Sequence, residues 1–278
     1  MELIDFARAH GILIDRLPPL GVWRRYPTED HPHKRNGAIK FMGDMAFLQN
    51  HAVDTEVSVW KSDAEAKPID YARLARLAKE SNAETNRRQA EAANKAKWIV
   101  QQCQNGKHEY LKVKGFDDEP GHVWAFDGKQ LLVIPMRVNG NIVGAQLISE
   151  SGEKKFLTGQ RTSHAEYVFD NRGPHYLVEG YATGLAVKAV LKKLQLPYTI
   201  HVCFSAGNMV KIAANLPTGF IFADNDASRT GEKTAQSIGW PYWMSDVVGE
   251  DAHDAWKRMG LFRIMQSFGK AIALSRPR

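Results

Sequence analysis

Gly219-Phe-Ile-Phe-Ala223 is an apolar run of strand length that ends in Asp224-Asn225-Asp226, with Gly231 following just before a helical pattern. Upstream, His175-Tyr-Leu-Val178 has the same character, ends in Glu179-Gly180-Tyr181-Ala182-Thr183-Gly184 and passes into a helical segment over 185–194. Short apolar runs bounded by turn residues read as buried strands. If the two are neighbouring and parallel, their carboxyl ends lie side by side, where open α/β sheets bind ligands. Glu179 then faces Asp224 and Asp226. Clustered carboxylates repel unless they share a cation, and a hard oxygen site with few ligands suits Mg²⁺ that is also held by substrate phosphates. The pattern points to phosphoryl transfer.

Around this pair, strand-length runs alternate with helical patterns. Strands are expected over 175–178, 199–204 and 219–223, and helices over 183–194, 208–216 and 231–238. Such alternation predicts a parallel sheet with right-handed crossovers. Ser205-Ala206-Gly207-Asn208 follows the middle strand. Its small residues either let a phosphate approach backbone N–H groups at a helix start or form an ordinary turn with an N-cap.

Before residue 173 the pattern is different. Runs over 131–138 and 141–148 flank Asn139-Gly140, a hairpin signal because both turn residues must accept positive φ. Lys154-Lys155-Phe156-Leu157 and Arg161 add basic side chains beside Arg137, either as a solvated sheet face or as a surface for a polyanion. From Pro68, Tyr71, Leu74, Ala75 and Ala78 fall at helical spacing, and a polar stretch of mixed charge runs on to Trp98-Ile99-Val100. The first sixty residues mix Gly, Pro and basic residues with Trp23, Tyr26, Phe41, Phe47 and Trp60. The expected organisation is a β-rich unit (1–62), a helical connector (63–115), a small basic β subdomain (116–172) and an α/β domain (173–278), mixed α+β overall.

With 278 residues and 44% hydrophobic content the chain can bury a substantial core, and a net charge of +6 fits a polyanionic partner, nucleic acid first. No apolar stretch is long enough to span a bilayer, and Met1-Glu2-Leu3-Ile4-Asp5 lacks the features of a signal peptide, so no membrane and a cytoplasmic location are expected. Cys103 and Cys203 stand alone and give neither a disulfide framework nor a cysteine zinc site.

Val178-Glu179-Gly180-Tyr181 and Phe222-Ala223-Asp224-Asn225-Asp226, with Gly231 beyond, resemble the two signatures of the Toprim domain of bacterial-type primases, topoisomerases and some nucleases. Ile134-Pro135-Met136-Arg137 with its return strand resembles the basic subdomain that precedes Toprim in primases, and Lys154-Lys155-Phe156-Leu157 the segment joining them. Gly249-Glu250-Asp251-Ala252-His253-Asp254, with Trp256 and Gly260, is similar to the acidic stretch that closes the primase unit. Tyr26 to Gly37 and His108-Glu-Tyr-Leu-Lys112 are similar to segments of phage and plasmid primases.

This resemblance implies a Toprim-like parallel sheet with flanking helices and a DNA primase that joins ribonucleoside triphosphates on single-stranded DNA, in replication of a phage or plasmid. Glu179, Asp224 and Asp226 match the acids that hold catalytic Mg²⁺ or Mn²⁺, with Asp251 and then Asp254 behind them. Arg137, Lys154 and Lys155 match template or nucleotide contacts; Arg161, Ser205 and Gly207 join that set. Thr183 stands where many primases carry another acid, and the stretch from Asp226 to Gly231 is longer than in the compact primase motif.

The N-terminal block lacks the cysteines of a primase zinc ribbon, so His31, His33 and His51 are not expected to close a zinc site. Trp23, Arg24, Arg25, Lys34 and Arg35, with Tyr26 and Lys40, either grip single-stranded DNA by phosphate contacts and stacking or are solvated residues around a small core. No Gly-x-x-x-x-Gly-Lys-Ser/Thr loop is present, so a helicase is expected as a separate partner. The alternatives are a Toprim nuclease using water as nucleophile and a non-catalytic DNA-binding replication protein.

Overall fold

The computed structural model describes residues 1–51, 57–62 and 71–275. The chain is mixed α/β and divides into two compact units, Met1–Arg87 and Arg88–Arg278. In the first, helix α1 (Leu3–Ala9) is followed by strands β1 (Trp23–Tyr26), β2 (Gly37–Phe41), β3 (Met45–Asn50) and β4 (Ser58–Lys61), an antiparallel meander in chain order. Period-two alternation turns Ala46 and Leu48 of β3 inward. There they meet Leu3 and Ala7 of α1, Ile12, Ile39 and Trp60. Strand β1 lies at the edge and exposes Trp23, Arg24 and Arg25; charge on an open edge discourages further strand pairing.

The boundary between the units falls inside a long helix, α2 (Tyr71–Gln102). After it come β5 (Gln104–Gly106), α3 (Glu109–Val113), β6 (Gly121–Phe126), β7 (Lys129–Val138), β8 (Asn141–Ser149) and β9 (Lys154–Phe156). The five strands form one antiparallel sheet in chain order. Asn139 and Gly140 have φ of 49° and 78°, as the hairpin reading requires, and Asp127 and Gly128 repeat the device at 51° and 69°. One face, with Val133 and Ala145, packs under Ala96 and Ile99 of α2. The other turns Leu132, Ile134 and Ile148 into the main core of the second unit.

That core is shared with the second sheet. Its elements are β10 (Tyr167–Asp170), β11 (His175–Val178), α4 (Tyr181–Lys193), β12 (Thr199–Val202), α5 (Ala206–Ala213), β13 (Gly219–Ala223), α6 (Thr230–Ile238), β14 (Tyr242–Met244), α7 (Ala252–Met259) and α8 (Leu261–Ser275). Strand order is β10-β12-β11-β13-β14. The last four are mutually parallel, while β10 pairs antiparallel with β12. The sheet is therefore mixed, not purely parallel as expected, because Tyr167–Asp170 supplies an antiparallel edge.

Alternation builds the layers. Tyr176, Val178, Phe220 and Phe222 point to the face covered by α4, α7 and α8. Leu177, Ile221 and Ala223 point to the face covered by α5 and α6. From β11 the chain steps to β12 on one side and then returns to β13 on the other. The crevice between β11 and β13 is thus a topological switch point, and the residues just beyond their carboxyl ends are Glu179 and Asp224. Among the described residues no helix is long and apolar enough to cross a membrane.

Candidate active site

Leu177 pairs with Ile221, so β13 runs one residue beyond β11 and the two strands release Glu179 and Asp224 one register position apart at the same edge of the sheet. Gly231 makes the approach of α6 possible: a Cβ there would collide with the Asp224 carbonyl oxygen. Asn225 fixes the loop. Its N–H donates to the Glu250 carbonyl (3.0 Å) and its side-chain amide to the Ser245 carbonyl (3.0 Å).

The three acids sit in different environments. Asp224 Oδ1 is buried without a hydrogen-bond partner. Its carboxyl is pushed up to about 7 by desolvation, then by the charges of Glu179, Asp251, Asp226 and Asp254. Glu179 is also raised, by desolvation and then Asp226, with Lys154 opposing. Asp226 goes the other way. Desolvation would raise it, but hydrogen bonds outweigh that: Oδ1 accepts from the Ser228 hydroxyl and the Thr230 N–H (3.2 Å), and Oδ2 from the Gly231 N–H (3.1 Å). Asp226 is therefore bound to the first turn of α6, the capping role open to any aspartate before a helix.

Among the described residues, one group of three potential ligand side chains brings its donor atoms within 4.8 Å of one another, and it is Asp251, His253 and Asp254. Glu179, Asp224 and Asp226 act on one another by charge but are not drawn into so tight a set. Mutual repulsion and the ties of Asp226 to α6 account for that. Asp251 caps α7: Oδ1 accepts from the N–H groups of His253 (2.8 Å) and Asp254 (2.9 Å), and Oδ2 from the Thr183 hydroxyl (2.8 Å). Thr183, buried in the first turn of α4, thus binds an acid instead of being one. The His253 Nε2 donates to the Lys114 carbonyl at 2.9 Å, an assignment that leaves its buried Nδ1 as an unpartnered acceptor 3.7 Å from Asp254 Oδ1.

A hard divalent cation fits this chemistry. Removing a carboxylate from water without a donor or counter-charge is costly, and Asp224 is left so beside four further acids.

Lys154 and Lys155 separate. Lys154 pairs with Ile148 and shares its face, toward the second sheet, whereas Lys155 pairs with Leu147 and points to the other face. The Lys154 ammonium is lowered by desolvation and then Lys114, and the Asp251, Asp224 and Glu179 charges oppose this. Lys155 instead lies 3.0 Å from Glu153. Phe156, on the Lys154 face, meets Phe204 edge-on at 6.1 Å.

The other expected nucleotide contacts are dispersed. Arg137 exchanges backbone hydrogen bonds with Glu166, and its charge acts on His122 and Tyr167. Arg161 donates to the Ser163 carbonyl (3.0 Å) and lines a separate cavity of about 400 Å³ with His164, Glu166 and Asn215. Ser205 is the N-cap of α5, its hydroxyl accepting from the Asn208 N–H at 3.2 Å. Gly207 beside it faces open space. In the first unit, Arg24, Arg25 and Arg35 line one groove of about 670 Å³ with Tyr26 and Arg16, while Trp23 and Lys34 are exposed outside its lining.

Sequence reasoning missed Arg16, Lys114, His253 and Tyr110, whose buried, unpartnered hydroxyl is pushed up to about 12 by desolvation and then Asp251. A motif signal existed for Tyr110 in His108–Lys112 and for His253 in Gly249–Asp254; for Lys114, contacts made only in three dimensions decide. No protein family and no curated protein matches this chain.

Proposed function

We propose that the chain is a primase of the Toprim type, joining ribonucleotides on single-stranded DNA in the cytoplasm of a cell that hosts a phage or plasmid. One observation carries the reading: a buried Asp224 oxygen without a partner, at a sheet switch point, among the charges of Glu179, Asp226 and Asp251. The resemblance of these stretches to the Toprim signatures narrows phosphoryl transfer to nucleotidyl transfer.

Glu179, Asp224 and Asp226 would hold Mg²⁺ or Mn²⁺, with Asp251 and Asp254 behind them. Such a cation, when bound, neutralises phosphate oxygens and makes a hydroxyl easier to deprotonate. Outside the ligand set instead, Glu179, its carboxyl raised by burial, would be suited to receive the proton of the attacking 3′-hydroxyl. Lys154 projects its ammonium toward the same acids and would meet the triphosphate or template phosphate. The Arg16, Arg24, Arg25 and Arg35 groove would hold the DNA backbone, with salt-sensitive affinity.

The test is incubation with single-stranded DNA, Mg²⁺ or Mn²⁺ and labelled ribonucleotides, with products resolved on a gel. Short labelled oligomers, absent with Asp224→Asn and Asp226→Asn, are expected. DNA cut without nucleotides would assign the acids to a nuclease. Binding with neither product would leave a non-catalytic replication protein.

A further inference from the structure

Away from the acids, at the β5–β6 edge of the antiparallel sheet, lies a cleft of about 520 Å³ that the catalytic reading does not use. Its walls are aromatic. Trp124 stacks on Phe126 with ring centroids 4.6 Å apart and planes 25° from parallel, and Trp98 of α2 meets Trp124 edge-on at 6.0 Å and 88°. Trp124 is buried, but Trp98 is 52% exposed and Phe126 53% exposed. Two large rings left wet, each against Trp124, form an apolar patch that the core does not need. One face of Phe126 is taken by Trp124, whose plane stands at 88° to that of Trp98.

Apart from Val123, Ala125, Gly106 and Lys107, the rest of the lining is polar and uncharged. Gln102, Gln104, Asn105 and Gln130 present amide groups, which both donate and accept, as the edges of nucleobases do. No carboxylate is among the lining residues, and the cation there is Lys107. Lys129 sits directly across the strand pair from Phe126, on the same face of the sheet. A planar aromatic ligand with an attached phosphate matches this set: rings to stack on, amides for its edge, ammonium groups for its phosphate.

We propose that this cleft is a nucleobase pocket for single-stranded nucleic acid, with Phe126 and Trp98 as the stacking surfaces. It is separate from the acid site. Three strand positions, about 14 Å at ordinary spacing, divide β6 from β9, and Trp124 lies on the sheet face opposite Lys154. The identity of the ligand rests on the nucleic-acid reading above; the geometry of the pocket does not.

The whole chain is titrated, in EDTA and at fixed salt, with a short thymidine oligonucleotide and with an abasic oligomer of the same length. The base-bearing strand is expected to bind about 5- to 100-fold more tightly, the effect of one or two stacked bases. Trp98→Ala and Phe126→Leu should each lower that ratio at least about fivefold while abasic binding stays constant. A bromouracil-substituted strand, irradiated on the unaltered chain, should attach to the peptides carrying Trp98 or Phe126. A ratio near one, unchanged ratios in both variants, or attachment only elsewhere overturns the pocket. Because no metal is present, base-dependent binding by a chain that makes no oligomers would sustain the pocket and sink the primase reading. Oligomer synthesis with none of these base effects would do the reverse.

Discussion

Two acidic clusters lie a few residues apart and are built on opposite terms. In one, Arg258 holds Glu250 in a fork, Nε to Oε1 at 2.7 Å and Nη2 to Oε2 at 2.9 Å, and also binds Asp246 at 2.8 Å. The Arg258 hydrogen bond, then that from Ser245, holds the Glu250 carboxyl below its ordinary range. In the other, Asp224 has burial and like charge and, among the described residues, no ion-paired cation, and its carboxyl rises to about 7. Asn225 ties the two together through the Glu250 and Ser245 carbonyls. The paired cluster braces the loop, and the proposed cation would sit at the cluster that no arginine pairs.

The sharpest way to break this contrast is Asp224→Asn. If the unpaired acids hold the catalytic ion, oligomer synthesis should fall by ~10³-fold, equivalent to about 4 kcal/mol, and the folded protein should lose nothing. Equal activity would end the distinction. Metal-free stability should then titrate in opposite senses at the two clusters. Folded Asp224 keeps its proton to about 7, whereas the unfolded residue loses it near 3.8, so the folded state is favoured at low pH and that advantage is lost as pH rises through about 7. The separation sets a ceiling of about 4 kcal/mol, of which solvent relaxation should leave only part. Glu250, depressed when folded, contributes stability above the ordinary carboxylate range and loses it as pH falls through its folded value. Denaturant melts in EDTA across pH, compared with Asp224→Asn and Arg258→Met, should show the first slope abolished by one variant and the second by the other.

How much of this was legible depends on where the signal resides. The runs ending at Val178 and Ala223 announce buried strands by composition, and Asn139-Gly140 announces its hairpin by the φ both residues must adopt. Gln104–Gly106 carries no apolar residue, and only pairing with β6 makes it a strand. Helix α8 could have been read from Ile264, Phe268 and Ile272, its buried positions at helical spacing. In the candidate site, acids at the ends of two apolar runs were enough to single out Glu179, Asp224 and Asp226. It could not reveal that Asp226 is bound to α6, nor that Asp251 and His253 come together at the start of α7, because those facts belong to caps and loops.

Register sharpens the comparison further, since it assigns adjacent lysines to opposite surroundings. Lys154 faces the unpaired acids and Lys155 does not. Lys154→Met should lower synthesis about 10- to 100-fold, about 1.4 to 2.7 kcal/mol, with Lys155→Met within about threefold of the parent. Equal losses would mean that net positive charge, and not position, is what the reaction uses.

The smallest effect expected is at Thr183, where the two kinds of cluster meet in one residue. Its hydroxyl supplies Asp251 with a neutral donor, so Asp251 is partly satisfied in the way Glu250 is fully satisfied. Thr183→Val keeps the shape of the buried side chain and removes only that donor; the α7 cap remains through Oδ1. Stability should fall by about 1 kcal/mol in EDTA, the ordinary worth of one buried hydrogen bond. Freed at Oδ2, Asp251 becomes a better ligand, so the same variant should bind Mn²⁺ more tightly, read directly by titration. If stability falls while Mn²⁺ affinity is unchanged, Asp251 belongs with the bracing acids, and the ion would rest on Glu179, Asp224 and Asp226 alone.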